Sequence, residues 1–173
     1  GYLSYLVTGR WFALETCQLL MGNWFLTGGI GSGTNDGMRW GQDRGIAWEI
    51  RNLCTALAIT PDAQSTLKAG YATHLQTFWA KWRANEVGFN NLGVRRNIYN
   101  YVDYAPSPYL SCGAFQQYFI MQAFGFGYEL AAELVPAATR TAWTESLQFH
   151  GLFTTGLLGT RPGGYCYRRA GTY

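Results

Sequence analysis

Arg44, Trp48 and Arg51 recur at i, i+4 and i+7, a spacing that puts all three on one face of a helix. Two guanidiniums flanking an indole suit an anionic sugar. A guanidinium fork grips carboxylate or sulfate through two parallel hydrogen bonds, and the indole stacks on a sugar ring. The competing reading pairs these arginines with Glu15, Asp36 or Asp43, which pins a glycine-rich loop to the helix and leaves Trp48 in the core. Glu49 is offset from the face. Further along, Tyr99, Tyr101 and Tyr104 follow Arg95 and Arg96. A tyrosine base beside arginines that neutralise a uronate is the equipment of a polysaccharide lyase. With Trp40 from the loop before the helix, the expected ligand-binding set is Arg44, Trp48, Arg51, Trp40, Tyr101 and Tyr104. No catalytic residue is assigned.

Other chemistry is thinly represented. The glycine-rich stretch 27–42 contains Gly28-Gly-Ile-Gly-Ser-Gly33, which superficially resembles a phosphate loop but lacks a preceding strand and a suitably spaced lysine. Its glycines fit a flexible surface loop, or a backbone that approaches a sugar or a neighbouring subunit. His74 and His150 have no Cys, Asp or Ser neighbour that proposes a triad, and no Gly-x-Ser-x-Gly elbow occurs. His74 is expected half-buried. His150, before Gly151, is expected at a helix C-terminus, where its charge meets the dipole. Paired-carboxylate chemistry needs two acids held about 5–10 Å apart. Asp36, Asp43, Glu49 and Asp103 are candidates, whereas Glu129 and Glu133 read as a solvated helix face. The four cysteines, Cys17, Cys54, Cys112 and Cys166, are dispersed without a CxxC pair, so no zinc site is expected. Scattered core thiols are the first reading and one disulfide the second. No cofactor is implied.

The elements that must position these residues are helices. An apolar run over 10–25, with Trp11, Leu14, Leu19 and Leu20, stops at Thr27-Gly-Gly29. The spacing predicts a second helix over 43–59 that buries Ile46, Trp48, Ile50, Leu53 and Leu57. Thr60-Pro-Asp62 ends it, with Thr60 as cap and Pro61 in the first turn of the next helix. That third helix carries Leu67, Tyr71, Leu75, Phe78, Trp79 and Trp82. Further helices are expected over 112–124, 128–134 and 139–149, with Pro136 between the last two and one short strand over 164–168. Tight turns recur at Tyr5–Glu15, at Ala56–Asp62 and at Gln122–Glu133, which makes the chain a row of antiparallel helical hairpins. The fold expected is all-α, a single domain over 1–173 in which hairpins form an (α/α) toroid or solenoid arc, with at most one short C-terminal strand; a compact irregular bundle is the alternative.

The segments Tyr5-Leu-Val-Thr-Gly-Arg-Trp-Phe-Ala-Leu-Glu15, Arg44-Gly-Ile-Ala-Trp-Glu-Ile-Arg-Asn-Leu53, Thr60-Pro-Asp62 and Gly163-Gly-Tyr-Cys-Tyr167 occur in this order. In that order they resemble the C-terminal part of a poorly characterised family of large bacterial and phage proteins associated with an (α/α) toroid. Arg10 stands where that pattern is acidic, and Gly45 where it is polar. The resemblance implies a toroid of the kind common among polysaccharide lyases and glycosidases, and it carries over no catalytic residue.

Composition bounds the remaining choices. The 173 residues are 17% aromatic and 13% charged with a formal net charge of +3. This excludes a disordered chain and gives no nucleic-acid footprint. The apolar runs are too short for a transmembrane segment. The chain starts at Gly1, without an initiator Met or a signal peptide, which is the expected appearance of a piece of something longer; its compartment is open. The partners expected are an anionic glycan and the remainder of its own chain or neighbouring subunits. Two functions follow: a polysaccharide-handling module, or a structural module of a large bacterial or phage particle.

Overall fold

The structure, a computed structural model, describes residues 1–28, 43–87 and 114–157, and the statements below concern those residues. Six α-helices follow one another: α1 (Tyr2–Thr8), α2 (Trp11–Gly28), α3 (Asp43–Ile59), α4 (Ser65–Val87), α5 (Ala114–Ala131) and α6 (Ala137–Leu157). No strand occurs among the described residues, and the fold is all-α. The strand expected over 164–168 lies outside them.

The turns explain the order. α1 ends at Gly9, whose left-handed conformation (φ 63°) lets its N–H reach the Tyr5 carbonyl at 2.8 Å. α3 and α4 are joined through Thr60, Pro61 and a 3-10 turn at Asp62–Gln64. Thr60 is not the cap of α4. Its hydroxyl donates backwards to the Ala56 carbonyl at 2.7 Å, closing α3 instead. α5 passes through a 3-10 turn at Ala132–Leu134 to Pro136, whose carbonyl accepts from Thr139 and Arg140 at the start of α6.

The third expected turn, at Gln122–Glu133, is absent. α5 runs unbroken through Gly125 and Gly127, so the helices expected over 112–124 and 128–134 are largely one. Gly127 is there for closeness rather than bending. A Cβ on it would lie 2.8 Å from Cys54 Sγ of α3 and 3.0 Å from the Trp143 ring of α6. Glycine costs a helix about 1 kcal/mol relative to alanine, and overpacking a core costs about 1–3 kcal/mol, so the close approach wins.

The core is a slab of α3 and α5, the most extensively paired helices, flanked by α4 and α6. Ile46, Ile50, Leu53 and Leu57 of α3 meet Ile120, Ala123 and Phe124 of α5. From α4, Phe78, Trp79 and Trp82 enter an aromatic cluster. Trp79 stacks on Trp143 with centroids 4.8 Å apart, and Phe124 meets Trp79 edge-on at 4.7 Å. Trp143 Nε1–H donates to the Phe124 carbonyl at 3.1 Å, tying α6 to α5. Arg83 and Glu145 pair at 3.0 Å between α4 and α6. A smaller cluster of Leu14, Cys17 and Ile59, covered by Tyr2 and Tyr5, attaches the α1–α2 hairpin.

Several side chains depart from the expected core. Trp48 is 44% exposed, and Trp11, Leu19, Leu20 and Leu67 also face solvent. Trp48 leaves the core because its helix turns the opposite face, Ile46, Ile50 and Leu53, to α5 and α4. His150 is not at a helix end: α6 continues to Leu157, and the imidazole is buried against Trp82, Phe124 and Phe149.

Candidate functional site

The sequence Asp43–Ile59 forms a strongly two-sided helix, apolar inward and polar outward. Its outward face carries Arg44, Trp48 and Arg51, all exposed, so the spacing does bring these three together. The Arg44 guanidinium carbon lies 5.6 Å from the Trp48 ring centroid, within cation–π reach. Phe119 of α5 meets the same indole edge-on at 6.3 Å and holds its flank. Glu15 pairs with neither arginine, and among the described residues Arg51 makes no ion pair. The result is a cationic strip around one accessible aromatic ring.

The rest of the expected set, Trp40, Tyr101 and Tyr104, lies outside the described residues, as do Tyr99, Arg95, Arg96, Asp36, Asp103 and the glycine-rich stretch from residue 29 onward. Of Asp43, only the backbone is described. Phe119 was illegible in sequence: it is one residue of an aromatic-rich helix, with nothing to mark it out. A pair behind the strip was missed although it had a signal: Glu49 is fully buried, and His74 Nε2 of α4 lies 4.0 Å from its Oε1. Glu49 and His74 stand almost equally far from Pro61 on either side, and an antiparallel hairpin turning at Pro61 sets them level. The buried Glu49 side chain and the half-buried imidazole thus meet between α3 and α4.

Other titratable groups report structure. Burial pushes the Cys54 thiol far up, and that of Cys17 up. Both are free thiols in the core, the first of the two readings, and Cys112 and Cys166 fall outside the described side chains. Burial, and then Cys17, raise the Tyr71 phenol. Asp62 is lowered by the Lys68 ammonium at 2.7 Å. Glu129 and Glu133 are exposed, and Glu133 pairs with Arg140. Among the described residues no three His, Cys, Asp or Glu side chains gather to hold a metal, and no helix is long and apolar enough to cross a membrane.

Comparison with protein-family models, curated proteins and solved structures finds no match to this chain. The physical properties of the strip therefore carry the functional reading.

Proposed function

We propose that this chain is a helical module that binds an anionic polysaccharide on the outer face of α3, as part of a larger (α/α) arc. The observation that supports this is Trp48, held out of the core at 44% exposure between Arg44 and Arg51. An exposed indole flanked by two guanidiniums offers a stacking face with positive charge on either side. A sugar ring covers that face by stacking, and a uronate or sulfate group meets the flanking guanidiniums. Arg44 over the ring is displaced sideways or pairs with the same acid group. Binding is the extent of the proposal, since among the described residues no acid–base set converges on the strip.

Fluorescence titration with polygalacturonate and with neutral dextran tests it. Polygalacturonate shifts tryptophan emission and dextran does not. Trp48→Ala and Arg51→Ala each weaken binding about tenfold or more, the loss of one stacking or charge-assisted contact of about 1.4 kcal/mol, while the thermal midpoint stays within about 2 °C of the parent. Equal binding by the parent and both variants sinks the proposal.

A second reading, an assembly module with no glycan ligand, draws on a different region. Val7 is 84% exposed, Phe12 78% and Leu19 73% on the α1–α2 hairpin, apolar surface that a neighbouring subunit would cover. A chain that stays monomeric in sedimentation at 100 μM, a concentration chosen to favour association, counts against this reading.

A further inference from the structure

A groove of ≈ 380 Å³ runs between α2 and the start of α4, away from the α3 strip. Its walls are Glu15, Gln18, Leu19 and Gly22 on one side and Leu67 and Tyr71 on the other. The volume falls within the roughly 300–1,000 Å³ typical of small-molecule sites. The residues of α2 fall at i, i+3, i+4 and i+7, so one stripe of the helix forms the whole wall. Gly22 opens it further, because a Cβ there would meet nothing within 4 Å.

Among the described residues the charge in the lining is one-sided. The Gln18 amide nitrogen donates to Gln64 Oε1 at 2.6 Å and to Thr60 Oγ1 at 3.3 Å, which uses both its hydrogens. Thr60 passes its own hydrogen to the Ala56 carbonyl, so it accepts from Gln18, which fixes the amide orientation. Gln18 is left presenting its carbonyl oxygen. Among the described residues Glu15 is the one charged residue in the lining, and it pairs with no cation there. Lys68, next to Leu67, has its ammonium on Asp62. Two acceptors, one of them anionic, therefore face an apolar trough.

We infer that this groove is a binding site for a small organic cation with an apolar body, an ammonium or amidinium on a hydrophobic frame. The frame lies on Leu19, Leu67 and the Tyr71 ring, and the cationic head donates to the Glu15 carboxylate and to Gln18 Oε1. Charge complementarity selects this class: among the described lining residues the one charged group is the Glu15 carboxylate, which attracts a cationic head and repels an anionic one. The inference is independent of the glycan proposal, because none of the groove residues belongs to the α3 strip.

A pair of probes with the same skeleton, 3-phenylpropylamine and 3-phenylpropionate, tests it by NMR on the Leu19 and Leu67 methyl signals. The amine shifts both methyls and binds at least tenfold more tightly than the acid. Glu15→Gln brings the two probes within about twofold of each other, and Glu15→Lys reverses their order. Gly22→Leu, at a position with open space, abolishes the shifts while circular dichroism and the melting midpoint certify the fold. An amine that leaves both methyls unmoved, equal binding of the two probes to the parent, or an amine preference that survives Glu15→Gln overturns the inference. So does undiminished binding by a folded Gly22→Leu variant.

Discussion

Trp79 and Trp143 stack on each other in the core, yet their indole nitrogens are treated differently. Trp143 donates to the Phe124 carbonyl at 3.1 Å, whereas Trp79 Nε1 is buried with no acceptor among the described residues. Both replacements by phenylalanine lose packing area and leave a cavity. Only one loses a hydrogen bond; the other removes an unsatisfied donor. Trp143→Phe is therefore expected to cost about 2–3 kcal/mol and Trp79→Phe about 1 kcal/mol less. Urea midpoints with unchanged slopes measure the difference, and equal losses contradict the assignment. Neither nitrogen's fate could be read from the sequence, because two tryptophans at good helical spacing look alike until the neighbouring carbonyls are placed.

At the scale of the element, α5 contains two glycines whose reasons for being glycine are opposite. Gly125 has open space where a side chain would go, and Gly127 is pressed against Cys54 and Trp143. Gly125→Ala should stabilise the protein by about 0.5–1 kcal/mol through helix propensity. Gly127→Ala should destabilise it by about 1–3 kcal/mol, since the sulfur and the indole must both move. Thermal melts of the two variants shift in opposite directions if this is right. In the sequence Gly125-Phe-Gly127 resembles Gly9 of the first hairpin, and the same turn is expected at both. Gly9 ends a short helix in the left-handed region, where its N–H satisfies an orphan carbonyl. Gly127 stays helical because α3 and α6 sandwich it, an influence from residues far away in sequence. The limits of α3 were legible for the converse reason: Pro61 and the two-sided pattern of 43–59 are local signals, and no distant contact overrides them.

For the whole molecule, the buried thiols link stability to pH. Burial raises the Cys54 thiol far above its ordinary value of 9.0 and raises Cys17 and Tyr71 in the same direction. These groups stay protonated in the fold, while the unfolded chain ionises at the ordinary values. The unfolded state thus binds fewer protons above pH 9, and stability falls as pH rises from there. Cys54 contributes up to about 1.4 kcal/mol per pH unit to that slope. Denaturation midpoints followed between pH 8 and 10.5 should decline, more gently in Cys54→Ala than in the parent. A flat profile in the parent contradicts burial of the thiol. Labelling by a thiol reagent at pH 8 should likewise reach Cys54 only on unfolding.

What the sequence determined by itself was periodic or punctuated: an all-α fold, the hairpin turns at Gly9 and Pro61, the break at Pro136, and the common face of Arg44, Trp48 and Arg51. Each follows from i+3 and i+4 spacing or from the backbone limits of glycine and proline, which act over a few residues. Tertiary structure decided which face of each helix meets a neighbour. It put Trp48 outside and Glu49 inside, though they are adjacent, and it carried His150 into the aromatic core. It also made Glu15, expected as an arginine partner, and Gln18, unremarked in sequence, the polar edge of a groove. Burial is a property of pairs of helices, and a single helix's pattern leaves the choice of partner open when aromatic residues ring most of its circumference.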